Sequence, residues 1–296
     1  MSKITVNTQM LGLKDVNLHV EDSGGNGRPV ILIHGWPLSG ASWKEQVSVL
    51  RDAGYRVITY DRRGFGQSDK PVAGYGFKTL AEDLSGIITA LDLRDVTLVG
   101  FSMGGGEVAQ YIADFGEDRV HSVVFAAAVT PMMINLPNNP EGPLEKSKAA
   151  MMTFDLTKDS EGFYDDFTKQ FFSPNANGSI LVSEAQRQEA LALCNQASKL
   201  AALEAMQVFA LADFRADLGK ITVPTLVIHG DADGIVPFEG SGKRTHAAIV
   251  HSQLHVIPGG PHGINASHAE EFNSVLLGFL ENSSAAESLR QRKLGS

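Results

Sequence analysis

Short apolar segments alternate with longer amphipathic segments along most of the chain. Six apolar segments predict strands that are buried on both faces of a sheet: residues 29–34, 56–60, 96–101, 120–127, 224–230 and 253–257. Helix-length segments separate them, and this alternation is typical of a mostly parallel sheet. Residues 4–6 and 16–20 predict an opening hairpin, with residues 22–27 as its turn. The pattern therefore predicts an α/β fold with an eight-stranded sheet.

The most informative motif is Gly-x-Ser-x-Gly at residues 100–104, between the apolar run 96–99 and the helix-like run 106–112. A strand that turns sharply into a helix strains its turn residue, and the two glycines let neighbouring backbones pass closely. The turn lifts the Ser102 hydroxyl out of the sheet at a helix N-terminus, whose dipole favours negative charge. Ser102 is therefore the candidate nucleophile, and the alternative is a serine in an ordinary glycine-rich turn.

A serine nucleophile needs a base and an orienting acid, which follow it here in the order acid, then histidine. Asp233 and His262 lie in loops after two consecutive predicted strands, at the carboxyl edge where Ser102 also lies. Asp231 is the alternative acid, but an Asp at its position more often bonds the loop backbone. Of the nine histidines, we select His262 because Pro261 and Gly263 flank it in a loop at this edge.

Two backbone amides are expected to bind the negative oxygen that forms during attack. Met103, the residue after the nucleophile, supplies one of them. Trp36, in the loop after the strand at 29–34, supplies the other, since Gly35 lets the chain turn there. Pro37 restricts Trp36 to an extended geometry. We expect this to direct the Trp36 carbonyl into the pocket, where it can accept a hydrogen bond from hydroperoxide.

Five segments together resemble the α/β-hydrolases, and more narrowly their cofactor-free haloperoxidase, perhydrolase and aryl-esterase branch: residues 34–37, 60–68, 100–107, 229–233 and 261–263. The resemblance runs in order from about Met10 to about Leu280. It assigns the nucleophile, acid, base and two oxyanion amides to residues already named: Ser102, Asp233, His262, Trp36 and Met103. It implies that the protein uses no cofactor and no metal.

The same resemblance divides the chain. Residues 1–130 and 216–282 are expected to form the α/β-hydrolase core, and residues 131–215 a helical cap in which substrate choice resides. Residues 283–296 are polar and basic, and we predict that they are disordered. Residues 61–66 are interpreted as a glycine-rich loop tied by ion pairs, because they lack a P-loop lysine and dinucleotide spacing.

The composition of the chain limits the kinds of partner and the cellular location that we expect for it. The 296 residues, 43% hydrophobic and 20% charged, suit one α/β domain with a cap. A net charge of −9 argues against nucleic acid, and no apolar run is long enough to span a membrane. The single cysteine, Cys194, excludes an internal disulfide, and we expect a cytoplasmic location. A homo-oligomer is an alternative to a monomer.

The predicted function is that of a serine hydrolase acting on small carboxylic esters, aryl or short-chain, through an acyl-enzyme. The expected reactants are a small-molecule acyl substrate and water or hydrogen peroxide. With peroxide, the released peracid oxidises halide outside the protein, which gives perhydrolase and haloperoxidase side activity. The alternatives are an amidase or lactamase acting on a small cyclic amide, and a non-catalytic binding protein with a hydrolase fold.

Overall fold

The computed structural model describes the backbone of residues 2–6 and 15–294 and the side chains of residues 3–6 and 15–283. Met10, where the motif resemblance begins, lies outside the described residues. The described strands form one sheet: β1 (Ser2–Val6), β2 (Val16–Asp22), β3 (Pro29–Ile33), β4 (Arg56–Tyr60), β5 (Val96–Phe101), β6 (Val120–Ala126), β7 (Thr225–Gly230) and β8 (Gln253–Ile257).

The strand order is β1-β2-β4-β3-β5-β6-β7-β8. Strands β3 to β8 are parallel to one another, whereas β1 pairs antiparallel with β2, and β2 pairs antiparallel with β4. The predicted eight-stranded, mostly parallel sheet is confirmed. The central strands β5, β6 and β7 are buried at every position, because helices cover both faces of a parallel sheet.

The opening hairpin is confirmed, since Ile4 of β1 pairs with Leu18 of β2. Its predicted turn is wrong. Residues 22–27 follow β2 and lead into β3, and β2 pairs with β4 rather than with β3. Gly24 and Gly25 have positive φ angles of 67° and 96°, so a turn does form there. The residue types at 22–27 correctly indicated that the chain turns there, but they did not indicate which two strands the turn joins.

The described helices are α1 (Lys44–Asp52), α2 (Phe77–Ala90), α3 (Met103–Phe115), α4 (Lys146–Lys158), α5 (Ser160–Phe171), α6 (Glu184–Cys194), α7 (Lys199–Leu211), α8 (Arg215–Leu218), α9 (Gly242–Ala248), α10 (Ile264–Ser267) and α11 (Ala269–Leu294). Helix α2 packs on α3, and α1 packs on α11. Helices α1 to α9 lie between strands along the chain, and α10 and α11 follow β8.

Residues 131–215 lie between β6 and β7 and contain α4 to α7. Side-chain caps begin three of these helices: Asp159 caps α5, Ser183 forms a capping box with Gln186 on α6, and Ser198 caps α7. Helix α4 packs on α5 and α7, and α5 packs on α6. The segment is thus a set of mutually packed helices inserted between two neighbouring strands of the sheet.

Helix α11 continues to Leu294, so the structure places the segment predicted to be disordered in this helix as far as Leu294. The segment contains Ala, Glu, Leu, Arg, Gln and Lys, which are strong helix formers. Its polar character therefore did not prevent a helix. Residues 295 and 296 lie outside the described residues. Among the described helices, none is long and apolar enough to cross a membrane.

The loop after β4 is fixed by two buried ion pairs, which confirms its interpretation as a structural loop. Arg63 Nε and Nη2 donate to the two carboxylate oxygens of Asp83 on α2, at 2.6 and 2.5 Å. Arg62 Nε donates to Glu107 Oε2 on α3 at 2.9 Å. All four side chains are at most 2% exposed. Each charge is therefore removed from water and depends on its partner.

We predict that Asp83→Ala lowers the free energy of unfolding by about 3–5 kcal/mol, because it leaves the Arg63 guanidinium buried without a partner. The matched control is Glu239→Ala, which removes the exposed partner of Lys243. That variant should change the free energy by less than about 1 kcal/mol. Urea unfolding followed by circular dichroism measures both, and equal losses in the two variants would contradict the prediction.

Candidate active site

Ser102 occupies a sharp turn between β5 and α3. Its φ and ψ are 54° and −117°, a conformation that non-glycine residues rarely adopt. The Ser102 amide donates to the Ala126 carbonyl at 2.9 Å, and its own carbonyl accepts from Gly105 at 3.0 Å. The neighbouring strand and the first turn of α3 therefore hold the strained residue in place.

Glycine is required on both sides of this turn because other backbone passes too closely for a side chain. A Cβ on Gly104 would lie 2.5 Å from the Ile33 carbonyl oxygen, and one on Gly100 would lie 2.5 Å from the Gly104 carbonyl oxygen. Ile33 pairs with Gly100 across β3 and β5. The end of β3, and the loop that carries Trp36, are thereby brought beside Ser102.

The structure brings Ser102, His262 and Asp233 into one chain of hydrogen bonds. Ser102 Oγ lies 2.9 Å from His262 Nε2, and His262 Nδ1 lies 2.6 Å from Asp233 Oδ2. All three residues are buried, with exposed fractions of 6%, 1% and 4% in that order. Since a carboxylate only accepts, Nδ1 donates to Asp233, and Nε2 is left to accept the Ser102 proton.

Asp233 is held by donors on both of its carboxylate oxygens. Oδ1 accepts from the amides of Ile235 and Val236 at 2.9 and 2.8 Å. Burial alone would raise the pKa of Asp233, but the electrostatic interaction with His262 and hydrogen bonds from His229 and His262 lower it below its usual range. Asp233 is therefore an ionised, oriented acceptor for His262.

His229 was not predicted as part of this site. Its Nε2 lies 3.3 Å from Asp233 Oδ2 and 2.8 Å from the Val236 carbonyl oxygen. Both neighbours are acceptors, so Nε2 carries the proton. His229 Nδ1 is buried without a hydrogen-bond partner among the described residues. Two features of the sequence could have identified His229: it lies near the end of an apolar strand, and it precedes Asp233 by four residues.

Asp231 lies apart from the other predicted residues. It is exposed, and its Oδ1 accepts from the Gly259 amide at 2.6 Å. This is the loop-bonding role expected of the alternative acid. It ties the loop after β7 to the loop after β8.

Trp36 and Met103 carry the predicted oxyanion amides: Trp36 lies in the loop after β3, beside Ser102, and Met103 directly follows Ser102 at the start of α3. Met103 is the first residue of α3, so its N–H has no acceptor within the helix. Trp36 lines the cavity above Ser102, and its amide donates to no acceptor in the described part of the chain. The Trp36–Pro37 peptide bond is cis.

The strand end before Trp36 is fixed by Arg62. Arg62 Nη2 donates to the His34 carbonyl at 2.8 Å, and its amide donates to His34 Nε2 at 2.9 Å. Burial, together with the charge of Arg62, lowers the pKa of His34 well below its usual value. His34 is therefore neutral, as an acceptor at Nε2 requires.

A cavity of about 500 Å³ opens above Ser102 and His262. Its lining is mainly apolar and includes Trp36, Val129, Phe163, Phe167, Phe209 and Val236. Exposed charged residues of α4 lie at its edge: Lys148, Asp155 and Lys158. The site is thus a buried nucleophile at the base of an apolar cavity with a charged rim.

A family model described as the alpha/beta hydrolase fold matches residues 28–269. The chain therefore belongs to the α/β-hydrolase family and is an enzyme of that fold.

Similar proteins indicate which branch of the α/β-hydrolase family this chain resembles. The non-heme chloroperoxidase of Kitasatospora aureofaciens is 41% identical over 86% of this chain and 93% of its own length. The bifunctional esterase/perhydrolase of Acinetobacter calcoaceticus is 35% identical over 90% of this chain and 97% of its own. The crystal structure of the bromoperoxidase from Bacillus anthracis has a TM-score of 0.90 at 48% identity, covering 95% of this chain and 100% of that one. The resemblance indicated by the motifs is confirmed.

Proposed function

We propose that this protein hydrolyses small carboxylic esters, aryl or short-chain, with Ser102 as nucleophile, His262 as base and Asp233 as orienting acid. The hydrogen-bonded chain from Ser102 Oγ through His262 to Asp233, at the base of the apolar cavity, supports this assignment. An apolar cavity favours uncharged acyl and aryl groups.

In the first step, Ser102 Oγ attacks the ester carbonyl carbon while His262 Nε2 takes the hydroxyl proton. Asp233 stabilises the imidazolium that forms, and the amides of Trp36 and Met103 bind the negative oxygen. When the intermediate collapses, Nε2 returns the proton to the leaving alcohol or phenol. The acyl group remains bonded to Ser102.

In the second step, His262 deprotonates a water molecule, which attacks the acyl carbon and releases the carboxylic acid and free Ser102. Hydrogen peroxide reacts in the same way, and its product is a peracid. That peracid oxidises halide in solution. The relative described as a bifunctional esterase/perhydrolase supports both branches.

We assign substrate selection to residues 131–215, acting as a cap on the core formed by residues 1–130 and 216–282. Helices α4, α5 and α7 contribute Met152, Phe163, Phe167 and Phe209 to the cavity lining. The acyl or aryl group of the substrate would lie against these side chains, while the core holds the reacting atoms.

Ser102→Ala should lower kcat by about 10³–10⁶-fold, because the residue that forms the acyl-enzyme is lost. Hydrolysis of an aryl acetate measures the rate, and circular dichroism checks that the fold is intact. An organophosphonate should label wild-type Ser102 stoichiometrically and should not label the variant. Labelling at another serine, or a variant with wild-type turnover, would refute the assignment.

Asp233→Asn should lower kcat by about 10²–10⁴-fold, because the imidazole loses its charged orienting partner. Asp231→Asn is the matched control, two residues away in the same loop. It weakens the bond to the Gly259 amide and should cost about 0.5–1.5 kcal/mol of stability with little effect on kcat. The reverse pattern would make Asp231 the acid.

The peroxide branch predicts that wild type forms peracetic acid from acetate and hydrogen peroxide. Pro37 is expected to direct the Trp36 carbonyl into the pocket, where it accepts a hydrogen bond from hydroperoxide. In the Pro37→Leu variant, the ratio of peracid formation to aryl acetate hydrolysis should therefore fall about tenfold, which corresponds to the loss of one net hydrogen bond. Both rates are measured on the same preparation. An unchanged ratio would exclude this role of Pro37, and absence of peracid from wild type would leave a plain esterase.

A further inference from the structure

Methionines are concentrated in the lining of the cavity above Ser102. The chain has 8 methionines, and Met133, Met151 and Met152 line this cavity. Met133 lies in the loop after β6 and is 2% exposed, whereas Met151 on α4 is 64% exposed. Met152 is half-buried. The esterase reaction assigns no task to a thioether, so an apolar wall could equally be built from leucine.

A thioether is the side chain in this cavity that a peracid oxidises most readily. The methionine sulfur attacks the terminal peracid oxygen, the O–O bond breaks, and the oxygen stays on sulfur as a sulfoxide. The peracid proton stays with the carboxylate that leaves, so the products are a carboxylic acid and methionine sulfoxide. Sulfur loses two electrons and the peroxide bond gains them. Hydrogen peroxide does the same more slowly, because hydroxide is a poorer leaving group than a carboxylate.

We propose that Met133 and Met152 are modification sites, oxidised to sulfoxides by the peracid that is released from the Ser102 acyl group. This inference rests on the proposed perhydrolysis. The peracid begins inside the cavity against its lining, so these sulfurs meet it at a far higher effective concentration than sulfurs elsewhere. A sulfoxide is polar, and it would make the apolar wall a poorer surface for acyl and aryl groups. Peracid formation would therefore limit itself.

The chain provides a matched control for Met133 and a more buried comparison for Met152. Met132 precedes Met133 in the same loop and is 5% exposed, but it does not line the cavity. Met206 on α7 is 3% exposed, accepts a hydrogen bond from Thr153 Oγ1 at 3.8 Å, and also lies outside the lining. Oxidation from solution would affect Met132 and Met133 to a similar extent, whereas oxidation from within the cavity would favour Met133. Met152 is more exposed than Met206, so that pair is compared between incubations and not within one incubation.

The test maps methionine sulfoxide by tandem mass spectrometry after four incubations. These are wild type with acetate and peroxide, wild type with peroxide alone, wild type with added peracetic acid, and Ser102→Ala with acetate and peroxide. The added peracid matches the concentration that the first incubation reaches. We expect the Met133-to-Met132 oxidation ratio to be about tenfold higher in the first incubation than in the third, because of proximity. Ser102→Ala should match peroxide alone.

A second measurement follows activity rather than mass. Met133→Leu and Met152→Leu conserve side-chain volume approximately, and Met132→Leu is the control. Each variant is assayed during peracid formation as a fraction of its own initial rate. The double variant Met133→Leu/Met152→Leu should lose activity several-fold more slowly than wild type, and Met132→Leu should decay as wild type does.

The outcomes separate the two proposals. If wild type forms no peracid, perhydrolysis is wrong and the modification falls with it. If peracid forms but the Met133-to-Met132 ratio is the same in the first and third incubations, perhydrolysis stands and the modification sites are wrong. Equal decay of the double variant and wild type would also overturn the claim that these sulfoxides limit activity.

Discussion

The strained turn at Ser102 is the constraint on which the rest of the site depends. Its positive φ projects the hydroxyl out of the sheet, and this conformation persists only because surrounding structure enforces it. That enforcement requires backbone contact, so Gly100 and Gly104 have no room for a Cβ. Close approach of β3 and β5 then sets the distance between the Trp36 loop and Ser102. One turn therefore positions both Ser102 and the loop that carries Trp36.

The buried Arg62–Glu107 pair holds the same region together from behind the turn. Glu107 lies on α3, and it accepts from Arg62 and from the Tyr60 hydroxyl. Arg62 in turn donates to both the carbonyl and the ring of His34. The ends of β3 and β4 and the first turns of α3 are thus joined by one polar cluster. Because its charges are removed from water, loss of one member would leave the others unpaired.

The residues of the predicted triad could be found from sequence because each lies in the turn or loop that follows a strand, and each of those strands was predicted from its pattern. Ser102, Asp233 and His262 are set by strand ends, and strand ends at one sheet edge converge whatever the intervening loops do. His229 escaped prediction because it looked like part of a buried strand. Its role depends on a contact with Asp233 that only the turn after β7 creates. The residue types at 22–27 likewise did not predict which strands pair with each other.

Residues 131–215 were least predictable for a related physical reason. Their helices are specified by caps and by packing on one another, and neither leaves a motif that encodes the shape of the cavity. Trp36 nevertheless couples the two parts of the enzyme. Its backbone belongs to the loop beside Ser102, while its indole Nε1 donates to the Ala202 carbonyl of α7 and its ring packs edge-on against Phe167 of α5. A displacement of either helix would move Trp36 and the loop beside Ser102, so the proposed substrate selection and the proposed oxyanion geometry are physically linked through one side chain.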